Sequence, residues 1–155
     1  MTYDEAMEYI DSLQSYGIVP GLTNIINLCE KLGNPQNKLQ FVHIAGTNGK
    51  GSTCAMVSSV LQAAGYKVGM YTSPHIYCFN ERIQINGQNI SDEDMAAVTE
   101  FVKPLAESMG DQIPTEFELV TAIGMEYFAR KNCELVVLEV GMGGELDSTN
   151  VIDSP

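Results

Sequence analysis

The residues between Phe41 and Thr53 have the types and the order needed to bind the phosphate groups of a nucleotide. They read FVHIAGTNGKGST, so a short apolar run is followed by three glycines, one lysine and three hydroxyl side chains. From Ser52 onward apolar residues recur at spacings of three and four, which predicts a helix. A strand, a glycine loop and a helix start bind phosphate because backbone N–H groups and the helix dipole converge on the anion. The predicted nucleotide-binding residues are Asn48, Gly49, Lys50, Gly51, Ser52 and Thr53, with Lys50 as the catalytic cation at the β- and γ-phosphates.

The spacing of this loop differs from the standard Walker pattern. That pattern needs a glycine five residues before the Gly49-Lys50 pair, where Ile44 stands, and Ser or Thr directly after the lysine, where Gly51 stands. A tight strand-to-helix turn with an incidental lysine therefore stays open as an alternative. A P-loop kinase or GTPase is also open, and Gly51 weighs against it.

Two other predicted strands end in groups that could bind a cation. The strand 68–71 is followed by Thr-Ser-Pro-His, and the apolar strand 135–138 ends at Glu139. Ligands of open α/β folds bind at the carboxyl ends of parallel strands. A carboxylate at the tip of a buried strand is costly unless it has a partner. We therefore predict Ser73 and Glu139 as Mg²⁺ ligands, with a simple turn before Pro74 as the alternative for Ser73.

Composition narrows the class of protein. A chain of 155 residues fits one domain, and a net charge of −12 with only 8 Lys and Arg argues against non-specific nucleic-acid binding. The acidic N-terminus does not resemble a secretory signal, and no apolar run is long enough to span a bilayer. The four cysteines form no CxxC pair, which predicts reduced thiols and a cytoplasmic protein.

Local signals predict the elements that position these groups. Thr2 with Glu5 and Thr115 with Glu118 are capping boxes, so Glu118 is at least partly structural. Asn86-Gly87 predicts an antiparallel hairpin inserted between alternating strands and helices. We therefore predict an α/β fold, a P-loop-containing three-layer sandwich with a mainly parallel sheet.

Four stretches occur together in one order: AGTNGKGST (45–53), YTSPH (71–75), FNERI (79–83), and LEVG (138–141) continuing to Asn150. Together they resemble folylpolyglutamate synthase and its bifunctional dihydrofolate synthase relatives, in the Mur ligase superfamily. The loop alone would suit any Mur-type ligase, whereas the Thr-Ser-Pro-His and Asn-Glu-Arg-Ile stretches resemble the folate branch. The resemblance covers essentially the whole chain, and the unusual loop spacing is itself typical of this superfamily.

The resemblance implies an ATP-dependent ligase that uses Mg²⁺. In such an enzyme ATP phosphorylates a carboxylate of a folate, and the amine of L-glutamate then attacks the acyl phosphate to form an amide. The resemblance also implies residues near the folate: His75, Arg82, Phe117, Glu118, Asp147 and Asn150. The family usually has arginine where this chain has Glu145, so binding of an anionic substrate is expected to be weaker if that side chain points inward.

The resemblance also implies that 1–155 is the N-terminal part of the ATP-binding domain. Family members continue with further strands and a C-terminal glutamate-binding domain, so this chain alone is expected to be inactive. A missing C-terminal half or a partner chain would then complete the sheet. The alternative from another class is a stand-alone nucleotide- or folate-binding module without turnover, which glutamate-dependent ADP release would exclude.

Overall fold

A computed structural model describes residues 1–17, 21–142 and 144–152. In this part of the chain one sheet has the strand order β1-β5-β2-β3-β4. Its strands are β1 (Phe41–Ile44), β2 (Val68–Tyr71), β3 (Ile83–Ile85), β4 (Gln88–Asn89) and β5 (Leu135–Glu139). The three strands β1, β5 and β2 are parallel, β3 pairs antiparallel with β2, and β4 pairs antiparallel with β3. The predicted fold class, an α/β fold with a mainly parallel sheet, is confirmed.

Helices cover both faces of this sheet. They are α1 (Tyr3–Ser12), α2 (Thr23–Lys31), α3 (Lys50–Ala63), α4 (Asp92–Glu107) and α5 (Glu116–Arg130). On one face α3 packs against β1, β2 and β5, with Cys54 buried between Val68 and Val137. On the other face α5 lies against the sheet, and α1, α2 and α4 pack around it to form the larger core. These are the predicted three layers.

The predicted local signals fold as expected. Thr2 and Glu5 form a capping box at the start of α1, and Thr115 and Glu118 form one at the start of α5. Between β3 and β4, Asn86 and Gly87 both have positive φ values of 48° and 79°, which is the turn that a two-residue hairpin requires.

The apolar stripe of α3 is only partly buried. Val57 and Leu61 pack against the sheet, whereas Met56 is 62% exposed and Val60 is 68% exposed. The predicted helix is therefore present, but its apolar positions extend beyond the side that meets the sheet.

The described residues also bear on the predictions about membrane-spanning segments and cysteines. No helix within these ranges has both the length and the apolar character that a bilayer crossing needs. Cys29, Cys54 and Cys133 are buried as free thiols, and Cys78 is an exposed free thiol.

Gly69 of β2 permits the contact between the sheet and α5. A Cβ atom at Gly69 would lie 2.7 Å from Cδ1 and 2.9 Å from Cε1 of Phe128. At Gly124 of α5, in the same layer, an added Cβ would lie 3.5 Å from Cδ2 of Tyr71, an ordinary contact distance.

We expect Gly69→Ala to lower the free energy of unfolding by about 1–3 kcal/mol, because the Phe128 ring must move in a packed core. Gly124→Ala is the matched control and should be neutral or stabilising, since Ala favours a helix interior over Gly by about 1 kcal/mol. Urea denaturation of both variants measures the difference. Equal stability of the two variants would contradict this account of the contact.

Candidate functional site

The loop between β1 and α3 presents backbone donors at the start of a 14-residue helix. Gly49 takes a positive φ of 75° directly before Lys50, a conformation that glycine adopts without strain. The amide of Thr53 donates to the carbonyl of Gly49 at 3.0 Å, and no side chain caps the helix. Because the first N–H groups of a helix lack intrahelical partners, this end of α3 can bind an anion.

The register of the parallel strands brings three chain segments to one edge of the sheet. Ile44 of β1 pairs with Glu139 of β5, and Tyr71 of β2 pairs with Leu138. Three segments therefore leave the sheet side by side. They are the loop 45–49, which we call the phosphate loop, the segment that begins at Thr72, and the segment that follows Glu139.

Lys50 connects the phosphate loop to the end of β5. Its Nζ donates hydrogen bonds to the carbonyl oxygens of Val140 at 2.9 Å and Gly141 at 3.4 Å. Both acceptors are neutral carbonyl groups, so they do not compensate the positive charge of the lysine. The ammonium group is therefore placed where a phosphate can compete for its hydrogen bonds.

Glu139 is the buried carboxylate of this edge. Glu139 is 5% exposed, and its Oε2 accepts a hydrogen bond from the amide of Ser73 at 3.3 Å. Burial raises the pKa of the Glu139 carboxyl, and the Ser73 amide and the charge of Lys50 act in the opposite direction with smaller effects. A buried carboxylate is costly to ionise on its own, so binding a cation to it is favourable.

A cavity of ≈ 640 Å³ opens beside Ser73 and Gly141, and Gly141 lies two positions after Glu139. Its lining is mostly apolar with a few polar groups, as is usual for small-molecule sites. The lining residues are Gly17, Ser73, Pro74, Arg82, Thr115, Phe117, Gly141, Met142, Leu146, Asp147 and Ser148.

An aromatic wall forms one side of this cavity. The Phe117 ring stacks on Tyr71 with centroids 6.2 Å apart, and the Tyr71 hydroxyl shares a hydrogen bond with Thr121 at 2.9 Å. Gly141 lies against the edge of that wall, because a Cβ there would be 2.7 Å from Cζ of Phe117 and 3.0 Å from Oδ1 of Asp147. The lack of a side chain at Gly141 thus sets how closely the aromatic ring and the carboxylate approach.

Asp147 is held rigidly in the cavity wall. Its Oδ1 accepts from the amide of Met142 at 2.8 Å, and its Oδ2 accepts from the amide and the hydroxyl of Thr149 at 3.1 Å and 2.6 Å. The carboxylate caps the short 3₁₀ helix Ser148–Val151. This fixed orientation makes it an acceptor for N–H groups of a ligand.

Arg82 supplies a positive charge at the mouth of the cavity. Its Nε donates to Nδ1 of His75 at 3.1 Å, and its guanidinium lies 4.8 Å from the centroid of the Phe79 ring. His75 therefore reaches the cavity only through Arg82. A fixed guanidinium at this position suits a carboxylate of a ligand.

Two of the residues predicted near a substrate, Glu118 and Asn150, are not among the described residues that line the 640 Å³ cavity. Glu118 is 3% exposed and accepts from the amide of Thr115 at 2.9 Å, so its carboxylate is used in the capping box. Asn150 donates to the carbonyl of Glu145 at 2.9 Å and borders a different cavity beside α2. Glu145 is exposed and is not among the described residues that line the 640 Å³ cavity. The condition for weaker binding of an anionic substrate, an inward-pointing Glu145 side chain, is therefore not met in this structure.

The cavity also includes residues that the sequence analysis did not assign to a site. Thr115 was predicted only as a helix cap, and Met142 and Leu146 were assigned no chemical role. An apolar residue in a polar loop at the end of β5 is the feature that could have indicated Leu146.

Curated relatives of this chain are synthases of folate metabolism by name, and no protein-family model matches the sequence. The dihydrofolate synthase/folylpolyglutamate synthase of Bacillus subtilis is 46% identical over 97% of this chain, which corresponds to 36% of the relative. The folylpolyglutamate synthase of Lacticaseibacillus casei is 42% identical over 98% of this chain and 36% of the relative. The chain thus spans about a third of the length of these relatives.

Solved structures give the same result for the fold. The folylpolyglutamate synthase of Thermotoga maritima superposes with a TM-score of 0.91 at 44% identity, over 98% of this chain and 36% of that one. The apo form of the L. casei enzyme superposes with a TM-score of 0.93 at 40% identity, over 99% of this chain and 38% of that one. By sequence and by fold, the chain therefore belongs to the folylpolyglutamate synthase and dihydrofolate synthase family, of which it represents the N-terminal portion.

Proposed function

We propose that this chain is the nucleotide- and folate-binding part of an ATP-dependent ligase that adds L-glutamate to tetrahydrofolate or a folylpolyglutamate. The observation that carries the proposal is the meeting of a phosphate loop, a buried carboxylate and an aromatic-walled cavity at one sheet edge. One related structure is a folylpolyglutamate synthase complex with AMPPCP and folate, at a TM-score of 0.89 and 40% identity. That complex supports assigning an ATP-like nucleotide and a folate as ligands of this chain.

The triphosphate of ATP would bind at the start of α3. The proposed contacts are Asn48, Gly49, Lys50, Gly51, Ser52 and Thr53, whose loop is exposed and whose helix start has no side-chain cap. Lys50 would exchange the carbonyls of Val140 and Gly141 for phosphate oxygens, which are stronger acceptors. Its charge would then stabilise the γ-phosphoryl group during transfer.

The residues at the end of β5 fit Mg²⁺. Carboxylate and hydroxyl oxygens suit this ion. Burial raises the pKa of the Glu139 carboxyl, so a bound cation would offset the cost of its buried negative charge. Glu139 and Ser73 would hold the ion together with phosphate oxygens. When bound, the ion neutralises charge on the transferred phosphoryl group.

The folate would occupy the 640 Å³ cavity. Phe117 offers the flat face of its ring, Asp147 offers carboxylate oxygens to ring N–H groups, and Arg82 faces the acidic end of the molecule. In the proposed reaction a carboxylate oxygen of the folate attacks the γ-phosphorus of ATP, and ADP leaves. The amine of glutamate then attacks the acyl carbon, inorganic phosphate leaves with the bonding electron pair, and the amine loses a proton. Dihydropteroate is a second acceptor that the same cavity would accept.

The proposal extends to the setting of the reaction. The Lys- and Arg-poor composition and the free thiols support a cytoplasmic enzyme without a nucleic-acid partner. The open edge of β1, which pairs only with β5 among the described strands, is the proposed site where a C-terminal half or a partner chain completes the sheet. A binding module without turnover is the second candidate, and glutamate-dependent ADP release by the intact polypeptide would exclude it.

Lys50→Ala tests the nucleotide loop. We expect MgATP affinity measured by calorimetry to fall at least about tenfold, because a charged hydrogen bond to phosphate is lost. Lys38→Ala is the matched control, since Lys38 is exposed before the amino end of β1 and should leave affinity unchanged. Equal MgATP affinity in the Lys50 variant and the wild type would overturn the loop assignment.

Gly141→Ala tests the cavity. The added Cβ must displace the Phe117 ring and the Asp147 carboxylate, so folate affinity should fall about tenfold or more. Gly144→Ala in the same segment is the control, because an added Cβ there meets no atom within 4 Å. Titration with folate compares the two. An unchanged affinity in Gly141→Ala would place the folate elsewhere.

Glu139→Gln tests the buried carboxylate through the pH dependence of stability. Because the folded pKa of Glu139 is raised, the folded state binds more protons than the unfolded one, and stability falls as pH rises from about 4.3 through the raised value. Without Mg²⁺, we expect the variant to unfold at a higher temperature than the wild type at pH 7. That advantage should vanish near pH 4.

The same two proteins report on the metal. Added MgCl₂ with nucleotide should raise the Tm of the wild type by mass action and raise the Tm of the variant by less, because the variant keeps the nucleotide loop but lacks the carboxylate. A variant that is less stable than the wild type at pH 7 in metal-free buffer would show that Ser73 and Lys50 already compensate the charge of Glu139.

A further inference from the structure

His43 of β1 lies behind the cavity and touches it only through other residues. Side chains alternate across a strand, so His43 shares the face of Phe41, which is buried in the larger core. Its Nε2 is 2.8 Å from Oγ1 of Thr149, and the two residues are 106 positions apart in sequence. Thr149 is completely buried and contacts Asp147 of the cavity wall.

The direction of each hydrogen bond in this chain follows from its acceptor. The Thr149 hydroxyl donates its single proton to the carboxylate oxygen Oδ2 of Asp147 at 2.6 Å. The Thr149 oxygen is then an acceptor for its other neighbour. Nε2 of His43 must therefore carry a proton and donate it to Thr149.

The state of the imidazole agrees with this direction. Burial lowers the pKa of His43, and the charge of Asp147 acts in the opposite direction with a smaller effect. A neutral ring with its proton on Nε2 satisfies the Thr149 oxygen and leaves Nδ1 as an acceptor.

We propose that His43 is a positioning residue for substrate binding, which fixes the Asp147 carboxylate through the hydroxyl of Thr149. This inference rests on the proposed function, because it assigns Asp147 to the folate. Oδ1 of Asp147 is held by the Met142 amide and Oδ2 by Thr149, so three donors set its orientation. The remaining lone pairs can then accept N–H groups from a ligand in one geometry only.

Loss of the His43 donor would leave the buried Thr149 oxygen without a partner. An unsatisfied buried acceptor is costly, so the Thr149 side chain would rotate and release Oδ2 of Asp147. The loop and α3, which bind the nucleotide, do not contact Thr149 among the described hydrogen bonds. The effect should therefore fall on the folate and spare the nucleotide.

The test compares four variants of the intact polypeptide by calorimetric titration with folate and with MgATP. His43→Leu and Thr149→Val remove the donor and the hydroxyl, and His43→Gln and Thr149→Ser keep them. We expect His43→Leu and Thr149→Val to weaken folate binding about tenfold each, with MgATP affinity within twofold of the wild type. His43→Gln and Thr149→Ser should restore folate affinity to within threefold.

The double variant His43→Leu, Thr149→Val sharpens this test, since it should be no weaker for folate than either single variant when the two residues act as one unit. Folate affinity that is unchanged in His43→Leu, or is equally weak in His43→Gln and His43→Leu, would overturn the role of His43. A wild type that binds folate in those experiments would leave the proposed function standing. A wild type that binds no folate would overturn both.

The ¹⁵N spectrum of the His43 ring gives a readout that needs no variant. The wild type should show the proton on Nε2 and a bare Nδ1 at pH 7. A proton on Nδ1 alone would reverse the hydrogen bond to Thr149 and overturn the proposal even if His43→Leu fails to fold.

Discussion

The coincidence of three parallel strand ends is the constraint on which the rest of the site depends. Ile44 pairs with Glu139 and Tyr71 pairs with Leu138, so the chain leaves β1, β5 and β2 at one level. Lys50 then spans from the first segment to the carbonyls of Val140 and Gly141 on the second. A slip of one residue in any pair would turn the side chains of that strand to the opposite face. The phosphate loop and the buried carboxylate would then no longer meet.

Elements with local signals could be predicted from the sequence. The capping boxes at Thr2 and Thr115, the Asn86-Gly87 turn and the strand that ends at Glu139 are each specified by a few adjacent residues. The capping box also gave a correct structural role for Glu118, although the family resemblance placed that residue near a substrate.

The cavity could not be predicted in the same way, because its wall comes from five separate parts of the chain. Thr115, Gly141 and Leu146 line one space only after α5 and the end of β5 have packed together. His43 and Thr149 are likewise joined across 106 residues. In sequence, His43 is one polar residue in an apolar strand, and nothing near it indicates its partner.

The net negative charge of the chain is compatible with anionic ligands, because positive groups lie at the sheet edge where such ligands would bind. The net charge of −12 belongs to the whole surface, whereas a bound phosphate responds to groups within a few ångströms. At this edge the uncapped start of α3, Lys50 and Arg82 provide local positive potential. The negative charge of the rest of the surface therefore does not exclude an anionic ligand at this edge.

The two buried carboxylates of the site differ in how much of their hydrogen-bonding capacity the protein uses. Asp147 accepts three hydrogen bonds from Met142 and Thr149, whereas Glu139 accepts one, from Ser73, among the described residues. An ionised carboxylate offers about four lone-pair sites, so Glu139 keeps most of its acceptor capacity while buried. Burial without partners raises the pKa of Glu139 and makes a cation its most favourable partner. Asp147, whose oxygens the protein already orients, is the proposed hydrogen-bond acceptor for the folate, and Glu139 is the proposed metal ligand, so their different surroundings account for the two roles that we propose.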